Sequence, residues 1–284
     1  MNGNPLQPPG PGSEVLAEFF RGFGLDATLP RLQLLEQTAA AFTRIPFENL
    51  TKIIRVKESG PTPAARQQPS ELLREHLRQG TGGTCFALTA TLLHLVRALG
   101  WQAEPILADR SYGPDTHSAL MIWIDGQPHL LDPGYLIVRP LPILPRDDAG
   151  WRIPTSFNEL LLIPRDKGRK IELHTIQQDG SKYRLTYRVA PAEPGEFLRA
   201  WDRALTQDNL RYPLLTRVIA GRQVYLQKNL LLIRGREGVQ RREIDPAQLE
   251  SFIVQTFGVS AEVASRALSI LRRGGEHHGG ADTS

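Results

Sequence analysis

Apolar residues recur at helical spacing through the first third of the chain. Leu16, Phe19 and Phe20 follow Ser13, a residue type that caps helices, and Leu32 to Phe42 repeats the same period, so two helices are expected there. Gly60, Pro61, Pro63 and Pro69 punctuate 58–69, which predicts a loop before a further helix over 70–77. Gly80-Thr81-Gly82-Gly83-Thr84 reads as a turn. The segment from Cys85 to Leu99 that follows is apolar on every face and stops at Gly100, the pattern of a buried helix. From Glu104 to about Val189 the pattern changes to short runs of β-type residues between turns: Leu107 to Ala108, Ala119 to Ile124, Leu160 to Ile163, Ile171 to Ile176 and Tyr183 to Val189. These predict a meander or small barrel. The last part combines a helix near 194–202, strands at Gln223 to Leu226 and Leu230 to Arg234, and a helix over 246–257. No internal repeat is present. The expected class is α+β, divided into a tail (1–12), a helical region (13–102), a strand-rich region (103–192), a mixed α/β region (193–272) and a second tail (273–284).

Composition narrows the function classes. A 284-residue chain with 40% hydrophobic and 23% charged residues can bury a large core, and it is neither collagen-like nor coiled-coil nor mostly disordered. The formal net charge of +4 comes from Lys and Arg scattered along the chain, not gathered on one helix, so nucleic-acid binding is not expected. A small phosphate-bearing ligand stays open. Apolar runs such as Leu160 to Ile163 and Leu230 to Ile233 fall far short of the roughly 20 residues of a membrane span. Met1 to Gly12 is uncharged and rich in Pro and Gly, unlike a signal peptide, and a cytoplasmic location is expected. The single cysteine, Cys85, excludes an internal disulfide and a cysteine-based metal site.

Cys85 stands in the first turn of its predicted helix, where unsatisfied N–H groups and the helix dipole favour an anion such as a thiolate. The competing reading is a small buried hydrophobe. A nucleophilic thiol needs a base, and the seven histidines can be screened by position. His277 and His278 are in the tail, His94 is on the far side of the cysteine helix, His76 precedes the turn, and His174 is in a later strand with no attendant carboxylate. His117 and His129 remain. Asp125-Gly126 predicts a two-residue type I′ hairpin, which sets Met121 opposite Leu130 and Ala119 opposite Asp132. His117 then shares a face with Asp132 and lies diagonal to it, about 7 to 8 Å away and within reach of a side-chain bond. His129 faces Ile122 and points to the other side. The hairpin therefore selects His117 and Asp132. A register slip of one residue would separate them.

These residues resemble the arylamine N-acetyltransferase family, over about Glu14 to Leu271. Ile45-Pro46-Phe47-Glu48-Asn49-Leu50 matches the family's early motif, and Gly82-Gly83-Thr84-Cys85-Phe86 the core of its nucleophile motif. His117, Asp132-Pro133-Gly134-Tyr135 and Phe257-Gly258-Val259 fall where the family keeps its histidine, its Asp-x-Gly-aromatic signature and its ending. The resemblance implies a helical bundle carrying the nucleophile, a central antiparallel β-barrel carrying His and Asp, and a C-terminal α/β lid. It also implies a papain-like triad of Cys85, His117 and Asp132, with acetyl-CoA as co-substrate and neither bound cofactor nor metal. Phe47, Thr84 and Phe86 are the expected substrate-binding residues, with core packing the alternative for Phe47. The implied partners are an acyl-CoA and a small-molecule amine.

The chain departs from the family at Thr81, Ala87 and Thr89, where Arg, Glu and Asn are usual. A concerted loss of Arg and Glu leaves no charge unpaired, but it removes a charged network around the nucleophile turn. Two alternatives to an arylamine acetyltransferase follow: a papain- or transglutaminase-like hydrolase or amide synthase, which uses the same order of Cys, His and Asp, and a non-catalytic binding homologue. Neither the natural amine, the length of the acyl group nor the oligomeric state is legible.

Overall fold

The computed structural model describes residues 4–10, 12–143, 150–177 and 180–276. Helix α1 (Glu14–Phe23) starts at Ser13, whose Oγ accepts from the Leu16 amide, and ends at Gly24 in the left-handed conformation; α2 spans Arg31–Phe42. Strand β1 (Phe47–Glu48) leads directly into α3 (Leu50–Ser59), which occupies part of the region expected to be loop. Its buried residues Leu50, Ile53 and Ile54 lie at helical spacing inside the early motif, and Gly60 ends it. Helix α4 (Pro69–Gln79) starts with Pro at its first position, and the Glu71 carboxylate turns back to the Gln68 amide at 2.9 Å. Helix α5 (Cys85–Ala98) is buried along most of its length, as its all-round apolar pattern predicts.

The central strands are β2 (Ala103–Arg110), β3 (Gly113–Ile124), β4 (Gln127–Asp132), β5 (Ile137–Pro142), β6 (Trp151–Pro154), β7 (Glu159–Arg165), β8 (Lys170–Gln177) and β9 (Gly180–Arg188). They form one antiparallel sheet in the order β5-β4-β3-β2-β9-β8-β7-β6. Its inner residues, among them Ile106, Met121, Leu162, Leu173 and Tyr187, make a core of their own. Asp125 and Gly126 both have positive φ (50° and 75°), the geometry of a type I′ turn. Ile124 pairs with Gln127, Met121 with Leu130 and Ile122 with His129, the register that this turn dictates.

After α6 (Pro194–Ala204), strands β10 (Leu214–Ile219), β11 (Arg222–Gln227), β12 (Leu230–Gly235) and β13 (Gly238–Glu243) follow, then α7 (Leu249–Phe257) and α8 (Ala261–Glu276). The second sheet runs β1-β10-β11-β12-β13, so the early motif supplies its edge strand. One face of it packs Leu215, Val224, Leu226 and Leu231 against α3, α7 and α8. Three expectations need correction. The expected tail over 1–12 is not simply a tail where it is described, because Leu6 is buried in the helical core and its carbonyl accepts from Arg97 Nη1 at 2.9 Å. Helix α6, assigned by sequence to the C-terminal region, packs Phe197 and Trp201 into that same core because its apolar face matches Phe86. Helix α8 runs on to Glu276, through the start of the expected C-terminal tail; residues 277–284, with His277 and His278, lie outside the described residues.

Candidate active site

Two chain segments build the turn before Cys85. Gly82 lies against the Pro46 carbonyl so closely that a Cβ there would stand 1.8 Å from its oxygen, and the Glu48 amide donates to the Gly83 carbonyl at 3.1 Å. Only glycine permits this approach. The buried Glu48 carboxylate accepts from the Gly82 amide (3.0 Å), the Thr51 amide (3.0 Å) and the Thr51 hydroxyl (2.7 Å). It thus ties the nucleophile turn to α3, although burial raises its pKa against those hydrogen bonds. Thr84 is the extended residue before α5, and Cys85 opens the helix.

Asp132 stands on β4 one position beyond the last pairing of the hairpin, Leu120 with Leu131, and His117 on β3 three positions beyond it, opposite Ala108 of β2. His117 Nε2 meets Asp132 Oδ2 at 2.7 Å, with both side chains fully buried. Tyr187 donates its hydroxyl to the same Oδ2 at 2.6 Å, and the Tyr135 amide donates to Oδ1 at 3.0 Å. Gly134 lets the groups close together: a Cβ there would lie 2.8 Å from His117 Cε1, 3.3 Å from Asp132 Oδ1 and 3.5 Å from Cys85 Cβ. Burial pushes the Asp132 carboxyl up, but the His117 charge and the hydrogen bonds outweigh it and hold the pKa below the ordinary value. For His117 the balance is inverse, with burial outweighed by Asp132 and by the hydrogen bond to Cys85, so its pKa is raised. The Cys85 thiol is lowered: burial opposes ionisation, while the His117 hydrogen bond and charge, then Arg110 and Lys52, favour the thiolate.

The two cations escaped the sequence reading. Lys52 is buried on α3, donates to the Ala204 carbonyl, and is brought by burial down to a pKa of about 8, the charge of Cys85 pulling the other way. Arg110, at a register irregularity near the end of β2, points Nη2 at His117 Nδ1 (3.0 Å) and Nη1 at the Tyr112 hydroxyl (2.8 Å). Neither carries a motif; Arg110 is brought in by the pairing of β2 with β3, and Lys52 by the packing of α3 against the end of α6. Tyr187 and Glu48 escaped for the same reason, although Glu48 lies inside the quoted early motif.

The other histidines behave differently. His94 bonds the Ser13 hydroxyl (2.9 Å), His76 Nδ1 the Thr81 carbonyl (2.8 Å), and His129 Nδ1 the Gln127 carbonyl (2.9 Å). His174 does have an attendant carboxylate, Glu172 at 3.1 Å, because alternate residues of β8 share a face. Phe47 is half-buried beside the turn, bridging Gly83 and pairing with Thr216. Thr84 lines a small cavity with Lys52, Gly83, Ala87 and Trp201. Phe86 is wholly buried, edge-on to Phe197 at 5.3 Å and stacked on Trp201 at 6.1 Å, in the helical core. Of the departures, Thr81 is buried with no partner for its hydroxyl, Ala87 borders the cavity, and Thr89 donates to the Ser118 carbonyl at 3.1 Å, joining α5 to β3 beside His117. Among the described residues no group of three His, Cys, Asp or Glu side chains is placed to hold a metal ion, and no helix is long and apolar enough to cross a membrane.

The comparison with known proteins agrees with this architecture. The structure resembles the arylamine N-acetyltransferase of Nocardia farcinica (19% identity, 90% of this chain and 95% of that one covered, TM-score 0.74). It also resembles that of Mycobacterium marinum, solved in complex with CoA (18%, 90% and 98%, TM-score 0.73). A third neighbour is an arylamine N-acetyltransferase of Bacillus cereus described as having a Cys-His-Glu catalytic triad (15%, 87% and 99%, TM-score 0.68). No curated protein sequence is matched. The family model of N-acetyltransferases matches residues 29–266, and with the fold in agreement the chain belongs to the arylamine N-acetyltransferase family.

Proposed function

We propose that the protein transfers an acetyl or related acyl group from acyl-CoA to an arylamine-type amine through a thioester on Cys85. The observation that carries this reading is the buried chain of hydrogen bonds from Asp132 through His117 to the Cys85 thiol, with 2.7 Å between Nε2 and Oδ2. His117 takes the thiol proton, and the thiolate attacks the thioester carbonyl of the donor, forming the acyl–sulfur bond and releasing CoA as thiolate. The imidazolium returns its proton to that leaving group. In the second half the amine attacks acyl-Cys85, His117 takes the amine proton, and the Cys85 sulfur leaves. Asp132 holds the ring and stabilises its charge, and Tyr187 and the Tyr135 amide hold Asp132. The developing oxyanion is matched by backbone N–H groups at the start of α5, that of Cys85 first.

Acetyl-CoA is the donor this reading names, in keeping with the neighbour solved with CoA. Phe47 and Thr84 border the site, and we place the enzyme in the cytoplasm, where a nucleophilic thiol stays reduced. The test is intact-mass analysis after exposure to a panel of acyl-CoAs. A hydroxylamine-labile acetyl adduct on Cys85, absent from Cys85→Ser, supports the reading. An adduct confined to lysines, or acylation by peptides and not by acyl-CoA, would replace it with a hydrolase or amide synthase.

A further inference from the structure

Lys52 is the one buried lysine of this chain. The other five, Lys57, Lys167, Lys170, Lys182 and Lys228, are exposed. Taking an ammonium out of water is costly unless its charge is met, and an apolar residue at the same place on α3 would carry no such cost. The position of Lys52 therefore directs attention to the groups that use its charge.

Its Nζ donates to the Ala204 carbonyl, which closes α6 and carries the partial negative charge of a helix C-terminus. Lys52 also forms one wall of the small cavity bordered by Gly83, Thr84 and Ala87, the residues on either side of Cys85. The turn there is tight, since a Cβ on Gly83 would stand 3.0 Å from Ala87 Cβ. His117, with Arg110 bonded to it, approaches the thiol from the sheet, whereas Lys52 comes from α3 on the helical side. The lysine and the cysteine sense one another. Burial brings the ammonium down to about 8 and the Cys85 charge opposes that shift, while burial of the thiol is outweighed by His117, Arg110 and Lys52 together.

The other charges in the neighbourhood are engaged with one another. Arg55, on the same helix and the same cavity wall, holds Glu71 at 3.1 Å and Glu75 at 2.8 Å on α4. Asp202 of α6 is held by Arg66 at 2.6 Å, and Arg266 of α8 meets Glu58 at the far end of α3. Glu48, just before α3, is tied to Gly82 and Thr51.

We propose that Lys52 is a positioning residue for the nucleophile: anchored on the Ala204 carbonyl, its ammonium stabilises the Cys85 thiolate from the helical side, in the free enzyme and again when the sulfur leaves the acyl-enzyme, and the thiolate in turn keeps that ammonium protonated. The proposal rests on the acyltransferase reading and adds a second, independent support for its sulfur anion. No bond to Lys52 is made or broken apart from that to its own proton. Once Cys85 is acylated the sulfur is neutral, so Lys52 holds this proton less tightly until the thiolate returns. The two influences are one coupling and must be equal in both directions.

The test reads that coupling from both ends. With lysine labelled at Cε, five NMR signals should titrate near the ordinary value of about 10.4 and one, Lys52, near 8. In Cys85→Ser that one should move down by about half a pH unit or more, because the thiolate charge is missing. Lys52→Met should move the midpoint of Cys85 alkylation against pH upward, slowing iodoacetamide near pH 6 by about tenfold for each pH unit. Lys52→Arg, which keeps the charge at every pH, should bring the midpoint back toward wild type. Lys57→Met, exposed on the same helix, should change neither profile. Should Lys52→Met fail to fold, the Cys85→Ser titration decides. A lysine that only caps α6 predicts a lower urea midpoint for Lys52→Met with the alkylation profile in place. That outcome, or a Lys52 signal indifferent to Cys85→Ser, would overturn the proposal. None of these readouts uses an acyl group. Loss of acylation by every acyl-CoA with the coupling intact would sink the acyltransferase reading and leave the thiolate and ammonium pair standing, whereas normal acylation without the coupling would sink the pair alone.

Discussion

Arg110 donates to His117 Nδ1 at 3.0 Å, so in this state Nδ1 is an acceptor and the ring proton sits on Nε2, facing Asp132. When His117 takes a proton from Cys85 on Nδ1, the same contact becomes donor against donor. The guanidinium must then turn away, and the nearest new anion is the Cys85 thiolate. Arg110→Gln should therefore shift the pH profile of Cys85 alkylation upward, slowing iodoacetamide at pH 6 by about tenfold for each pKa unit. The rate of carboxymethylation against pH, wild type beside variant, reads this directly.

The thiol itself is the second expectation. With its pKa held below the ordinary cysteine value, chiefly by the His117 hydrogen bond and charge against burial, Cys85 should react with iodoacetamide near pH 6 markedly faster than a free thiol. Equal rates would mean that no activated nucleophile exists.

Asp132→Asn keeps the side-chain volume and removes the charge that stabilises the imidazolium, so turnover should fall by orders of magnitude. His129→Gln, on the other face of the same hairpin, should leave acyl transfer nearly intact. An inactive but folded His129 variant beside an active Asp132 variant would withdraw His117 as the base.

The same ion pair sets a pH window for stability. Asp132, with its folded pKa depressed, contributes stability that is present above the ordinary carboxyl value of 3.8 and lost as pH falls through the folded value. His117, with its folded pKa raised, contributes stability that is full below 6.5 and lost as pH rises through the folded value. Urea midpoints of wild type and Asp132→Asn should therefore differ most between pH 3.8 and 6.5, with the gap closing at lower pH and narrowing at higher pH, where the Tyr187 and Tyr135 hydrogen bonds to the carboxylate persist. A pH-independent difference would contradict the coupling.

Gly134→Ala adds one methyl that meets His117 Cε1 at 2.8 Å. The ring must move, and a displacement of about 1 Å from its position costs roughly 10²-fold in turnover. Steady-state kinetics should show that loss together with a thermal midpoint close to wild type, since the change is local.

Glu48→Gln tests the floor of the site. The carboxylate receives three donors, two on Oε1 and one on Oε2, whereas an amide turns an N–H₂ toward one of them. Leaving a buried donor unmet should cost about 1–3 kcal/mol in urea unfolding.

Much of the molecule follows from local pattern. The all-round apolar run of α5, the Gly82-Gly83 turn and the Asp125-Gly126 hairpin each depend on a few neighbouring residues, and together they place Cys85 at a helix start and His117 beside Asp132. The hairpin reading works because period-two alternation and a turn that demands positive φ leave one register. Residues whose role depends on contacts distant in sequence stayed hidden. Phe86 sits in the nucleophile motif yet packs on Phe197 and Trp201 of α6, and Leu6 looks like tail but fills the helical core. Nothing in the strand around Tyr187 marks it as the donor to Asp132, and nothing in the β2 sequence brings Arg110 to His117. Sequence by itself singled out Cys85, His117 and Asp132 as the candidate site and determined most element types, because these are set by residue type and short-range periodicity. Tertiary structure decided which cations, phenols and carboxylates surround them, because side chains that are far apart along the chain meet only when sheets and helices pack.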